Sequence, residues 1–196
     1  MNKMKVLMAA ATALALSACG GSDDGSGGGG APVIGQNGAV DVKTVSMPAG
    51  QTCGIGNFAP ALLAAINSAR AQARNCGGQA YAAAPAILYW NTLISQAAVT
   101  HSADMASKNF FSHTGSDGST PYDRLIAAGY HDGGGGEILS HSWGTNASSN
   151  RISPAAVEGW FKSPAHCASI MEASFDEIGA ACVQSGNKAY LTVDFG

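Results

Sequence analysis

A break in composition near Gln51 constrains this chain most, because it decides which residues can fold at all. From Gly20 to about Gln51 the sequence is dominated by Gly, Ser and Asp, with GSGGGGAP at its centre, and no apolar period survives. Such a stretch cannot bury enough surface to offset the entropy of ordering it. Order is therefore expected to begin near Cys53, and in a chain of 196 residues the remainder makes one domain with a single core.

The residues before the break read as an export signal. Lys3 and Lys5 precede an apolar run from Val6 to Leu16, and small residues lead into Cys19. The run is too short to cross a bilayer as a helix, and no later stretch approaches the ~18 apolar residues a transmembrane helix needs. Leu16, Ser17, Ala18 and Cys19 resemble the lipobox of bacterial lipoproteins. The resemblance implies that residues 1–18 are removed as a signal peptide and that Cys19 is acylated, anchoring the protein to a membrane through buried methylenes at about 0.8 kcal/mol each. Gly20 stands where an Asp would mark inner-membrane retention, which implies a cell-envelope protein of the outer membrane. Residues 19–52 then form a tether whose reach as a flexible coil is ~30 Å. Removing Lys3 and Lys5 from the 10 basic residues, against 13 acidic ones, takes the formal charge from −3 to about −5, which gives no footing for nucleic acid. With Cys19 set aside from the 5 cysteines, Cys53, Cys76, Cys167 and Cys182 form an even set in an oxidising compartment, so two disulfides are expected.

Periodicity places the elements. Phe58, Leu62, Ile66, Ala69 and Ala73 recur at helical spacing, with Gly77 positioned as a C-terminal cap. Ile94, Ala98, His101 and Met105 stripe a second helix over 91–108. Thr120, Pro121 and Asp123 start a third, to about Ala128, and Ser153-Pro154 and Ser163-Pro164 repeat the device twice. Alternation from Ile178 and a run from Lys188 to Phe195, joined by Ser185, Gly186 and Asn187, predict a hairpin, with a shorter strand over Glu137 to Ser140. Helices first and antiparallel strands last is an α+β pattern.

Five blocks fall in one order: HSADMASKNFFSHTGSDGSTPYDRLIAAGY from His101, GGE ending at Glu137, VEGWFKSPAHCASIM from Val157, FDEIGAACV from Phe175, and the closing DFG. That set resembles the bacterial branch of the CAP superfamily, the SCP domain, over residues 53–196. The resemblance implies a three-layer α-β-α sandwich with a central antiparallel sheet and a cleft lined by two His and two acids. Here the cleft residues would be His113, Glu137 and His166. The second acid would fall at Ser163, which cannot serve, and SPAH replaces the usual SPGH, with Ala165 for Gly.

Two imidazoles beside a carboxylate can hold Zn²⁺ with one position left open, so His113 and His166 are the candidate metal ligands. His166 lies in a first helical turn, where the macrodipole disfavours imidazolium. No His pair, however, has the i, i+4 spacing of a local metal motif. Cys167 and Cys182 are expected to pair across a 15-residue loop, which stabilises by about 3 kcal/mol, leaving Cys53 with Cys76 around the first helix. His101 reads as a hydrogen-bonded core histidine and Asp104 as its neighbour on the helix surface. His131 reads as exposed, His141 as incidental, and Trp90 and Trp160 as core. Gly133 to Gly136 lack the Lys and Ser or Thr of a phosphate loop. Three functions emerge as expectations: a tethered module binding a lipid, peptide or cell-envelope partner; a Zn²⁺ hydrolase with Glu137 as base on bound water; or a structural envelope protein.

Overall fold

The computed structural model describes residues 37–132, 135–144 and 152–196. The chain divides into two units, Met1–Ala31 and Pro32–Gly196, and every described residue falls in the second. The export signal, Cys19 and the glycine-rich centre of the tether lie outside the described residues.

Five strands form the main sheet: β1 (Ala39–Val40), β4 (Tyr89–Asn91), β5 (Gly136–Trp143), β6 (Glu177–Ser185) and β7 (Lys188–Phe195), in spatial order β1-β4-β6-β7-β5. β6 and β7 are the predicted hairpin, with Ala181 opposite Thr192, and β5 adds antiparallel to β7, with Glu137 opposite Asp194. β5 runs to Trp143, three residues beyond the expected end. The sheet is not wholly antiparallel: β4 pairs in parallel with β6, placing Trp90 opposite Ile178. α2 (Thr92–Lys108) follows β4 directly, which a parallel neighbour requires of its connection.

The layers follow from alternation along the strands. Ile178, Ala180 and Cys182 of β6, with Leu191, Val193 and Phe195 of β7, join the large core with α1 (Phe58–Arg70), α4 (Pro154–Trp160) and α5 (Pro164–Met171). The other sheet face meets α2, whose buried Ser102 donates to the carbonyl of Ala181 and to Thr192 Oγ1. Gly179 explains how closely α2 approaches: a Cβ there would lie 2.2 Å from the Ser95 nitrogen. α3 (Pro121–Ala127) packs Leu125 against Ile94 and Ala97 of α2. This is the expected α+β three-layer arrangement. Trp90 and Trp160 are core, and His131 is exposed, as expected.

Capping chemistry set most helix starts. Asn91 accepts from the Leu93 and Ile94 nitrogens, Ser153 from Ala156, and Thr120 exchanges bonds with Asp123 in a capping box. α1 ends differently from its pattern. It stops at Arg70, and Arg74–Cys76 (β2) pairs with Gln79–Tyr81 (β3) across Gly77 and Gly78, both at positive φ, so Gly77 turns a hairpin instead of capping a helix. Arg70, the last residue of α1, is fully buried; its carbonyl accepts from the Ala84 N–H, and its guanidinium donates to the carbonyls of Pro85, Ile170, Glu172 and Phe175, satisfying acceptors from the loop and from the end of α5.

Two further expectations are corrected. Order begins well before Cys53: Val40 is buried, Val42, Val45 and Met47 pack on the α1 core, and 3-10 turns span Val42–Thr44 and Ala49–Gln51. The four apolar residues spread through this segment were too few to show a period, yet enough to dock on a formed core. The disulfides join Cys53 to Cys182 and Cys76 to Cys167, and not the near neighbours in sequence. A 13-residue helix, about 20 Å long, separates Cys53 from Cys76, beyond the ~7 Å limit between bridged Cα atoms. Cys182 lies in the sheet core, where Cys53 donates its backbone N–H to the Cys182 carbonyl, whereas Cys167 packs with Cys76, Ala84 and Met171 beside the small hairpin.

Candidate functional site: a His-Glu-Arg cleft

Three elements converge on Glu137. It sits second in β5 with its side chain only 2% exposed, on the sheet face that α2 covers. One carboxylate oxygen, Oε1, lies 2.5 Å from His113 Nδ1, and the other, Oε2, accepts from Arg124 Nη2 at 2.7 Å. His113 comes from the loop between α2 and α3. Asn109, in the left-handed conformation, ends α2 and starts that loop. Asp104 pins it by accepting from the backbone N–H and hydroxyl of Ser116, so the residue expected to be a surface neighbour of His101 is a loop anchor. Burial works against the ionised Asp104, but the bonds from Ser116 and Lys108 outweigh it and hold the carboxyl below the usual aspartate range.

Arg124 completes the frame. Its Nη1 donates to the Ser119 carbonyl at 2.9 Å and its Nη2 to the His113 carbonyl at 3.0 Å, so one buried guanidinium fixes both the loop and the carboxylate that His113 meets. The imidazole itself remains 54% exposed. With Nδ1 against Glu137, the ring presents Nε2 outward, the arrangement by which a carboxylate orients an imidazole as acid, base or hydrogen-bond partner.

His166 enters from α5. Ser163 caps that helix by accepting from the His166 backbone N–H, so its hydroxyl has a structural task. Burial lowers the His166 pKa, and the charge of His113 lowers it further. The Cys76–Cys167 disulfide fixes the residue next to His166 to the small hairpin. Of the predicted residues, then, His113 and Glu137 are in direct contact, while His166 stands on α5, a helix that packs against β5.

Two residues escaped the sequence reading. Arg124 was visible only as the Arg of PYDRLI, one turn after a helix cap, and nothing local shows that it points inward. Asp194 belongs to the closing DFG block and stands opposite Glu137 in β7, 2% exposed. His101, by contrast, is the buried core histidine its stripe predicts, with Nε2 2.8 Å from the Ser112 carbonyl. His141 is not incidental: its ring lies between those of Phe111 and Trp143, at centroid distances of 4.1 and 4.7 Å.

The donor set does not fit a zinc centre. Both Glu137 oxygens are engaged, one of them by a guanidinium whose positive charge opposes a cation, which leaves His113 Nε2 and His166 as donors, fewer than the three protein ligands of a catalytic zinc site. Among the described residues no three His, Cys, Asp or Glu side chains converge to hold a metal ion. Cavities of about 450 and 360 Å³ lie elsewhere, the first by Tyr130 and Glu177 and the second by Met47 and Trp90.

Known proteins similar to this chain include a membrane protein, a surface protein and an extracellular protein of bacteria. The membrane protein YlbC of Bacillus subtilis is 29% identical over 109 residues, which cover 55% of this chain but only 28% of YlbC. An outer surface protein of Borrelia burgdorferi superposes with a TM-score of 0.45 at 23% identity, over 55% of this chain and 74% of that one. An extracellular protein containing an SCP domain from Bacillus anthracis gives 0.43 at 26% identity, over 54% and 32%. The family model described as the cysteine-rich secretory protein family, CAP, matches residues 63–195, and this chain belongs to that family.

Proposed function

We propose that this CAP domain is a binding module of the cell envelope, held to the outer membrane by acylated Cys19 and offering the cleft of His113, Glu137 and His166 to an envelope ligand. The observation that carries the reading is the support beneath His113: an exposed imidazole oriented by a buried carboxylate, itself held by the buried Arg124. Burying an ion pair to hold a surface ring is costly for stability alone, since a well-packed apolar pair of the same volume would usually serve as well. Two disulfides suit the oxidising compartment that the reading requires. A zinc-hydrolase reading would need Glu137 free to act on bound water, and both of its oxygens are engaged by His113 and Arg124.

The test follows the imidazole ¹⁵N resonances of His113 and His166 in the full-length protein. The probes are a soluble digest of peptidoglycan, added in one series, and vesicles of envelope phospholipid, added in another. Saturable shifts at both rings, abolished by His113→Ala, are expected with one of the probes. Unmoved resonances with both would overturn the assignment of the cleft. Membrane fractionation of a Cys19→Ala variant tests the anchor separately, with release into the soluble fraction as the expected result.

A further inference from the structure

The cleft holds more acid than its ion pairs account for. Glu137 and Asp194 occupy opposite positions in adjacent antiparallel strands, which sets their Cβ atoms about 5 Å apart on one sheet face. Both are shut away from water, and the Glu137 charge bears on Asp194. One guanidinium, that of Arg124, faces the two carboxyl groups. His113 approaches from the loop above, and His101 lies near enough on α2 to feel the Glu137 charge. Asp194 Oδ1 accepts from no donor, although a buried carboxylate oxygen is costly to leave unpaired.

We infer that Glu137 and Asp194 share a single proton, that Asp194 is the second acid of this cleft in place of the one missing at position 163, and that the pair therefore carries one negative charge, matched by Arg124. Two carboxyl groups buried side by side in opposed strand positions and faced by one guanidinium cannot both ionise without strong mutual repulsion, and one proton between them lets one acid donate to the other. The unpaired Oδ1 then has its explanation: in a protonated Asp194 it is a neutral carbonyl oxygen, whose burial without a donor costs far less than that of a charged one. Burial, and then the Glu137 charge, both favour the protonated form of Asp194 over the ionised one.

The pair has a chemical consequence. A cleft with two ionised carboxylates and two imidazoles would draw a divalent cation, whereas a cleft whose acids are reduced to one charge, already neutralised by a guanidinium, would not. Its ligand is met by hydrogen bonds from His113 and His166. The inference concerns the acids alone and stands apart from which envelope molecule the cleft binds.

Carboxyl-¹³C NMR of the full-length protein in detergent, with labelled Asp and Glu, tests it. The Asp194 resonance is expected to stay at the protonated position from about pH 5 to about pH 8, across the range where ordinary aspartates are ionised. In an Asp194→Asn variant, which keeps a donor toward Glu137, that signal disappears and the Glu137 signal remains that of a carboxylate. An Asp194 resonance at the ionised position at neutral pH would overturn the inference, and the wild-type spectrum alone decides this if the variant fails to fold. In the same sample, one equivalent of Zn²⁺ is expected to leave the His113 and His166 ring signals unmoved. Stoichiometric shifts at both rings would show that the cleft takes a cation and refute the charge argument.

Discussion

Removing the Cys53–Cys182 disulfide by the double change Cys53→Ala, Cys182→Ala tests the covalent frame on which the cleft hangs. The two bridges are nested, spanning 129 and 91 residues. With Cys76–Cys167 intact, the outer bridge does not close its whole span. It closes only the difference between the two spans, about 38 residues, through the inner bridge. In the chain-entropy relation such a loop contributes about 4 kcal/mol, against about 5 kcal/mol for the full span alone. The double variant should therefore lose about 4 kcal/mol in guanidinium unfolding. The matching change at Cys76 and Cys167 should lose slightly less, and the quadruple variant about 8 to 9 kcal/mol, near or beyond the total stability of an ordinary domain. Peptide mapping without reduction supplies the decisive control. The expected cross-linked peptides join Cys53 to Cys182 and Cys76 to Cys167. A peptide joining Cys167 to Cys182, or a loss below about 1 kcal/mol for the outer bridge at unchanged m value, would refute the nested arrangement and with it the placement of α5 against the small hairpin.

Other perturbations read the polar framework. Glu137→Gln removes the carboxylate that Arg124 and His113 share and leaves Asp194 to ionise as the counter-charge, so it should cost about 1 to 3 kcal/mol, while freeing the loop that carries His113; urea unfolding and the exchange rates of the Ser112 to Ser116 amides report the two effects. Arg70→Met keeps volume but abandons four carbonyl acceptors, and should destabilise by at least about 3 kcal/mol in the same assay, with Lys a poor substitute because it cannot reach several acceptors from one plane. An acid whose folded-state pKa is raised keeps a proton that the unfolded chain has shed, so the Asp194 contribution makes stability fall as pH rises from the ordinary aspartate range towards its folded value. Asp194→Asn should flatten that part of the urea-midpoint profile, and an unchanged slope would count against the protonated acid. The lowered values of His101 and His166 act in the opposite sense, since both rings stay neutral where the unfolded chain binds protons. Stability should fall as pH drops below about 6.5, a fall that His166→Gln would diminish.

Much of this molecule was legible along the chain because the deciding interactions were local. Thr120, Ser153 and Ser163, each followed by Pro, cap the next turn, and the alternation of β6 and β7 around the two-residue turn Gly186-Asn187 leaves one register that buries Ile178, Ala180 and Cys182 together. The block order carried the family and the three-layer architecture, and it singled out His113 and Glu137, which are in contact. What needed the tertiary structure was every feature whose partners are distant in sequence. Which cysteines meet depends on the rigid length of α1 and on the separate cores that Cys167 and Cys182 join. Whether Ala39 and Val40 form a strand depends on β4 offering its edge. Arg70, at the end of α1, answers carbonyls about a hundred residues away. The second acid is the clearest instance, because a sequence motif orders acids along the chain, whereas pairing β5 with β7 places Asp194 against Glu137 regardless of their separation. Composition and spacing determined what could fold and where; packing decided which charges met, because burial and strand register are properties of the assembled sheet and of no single segment.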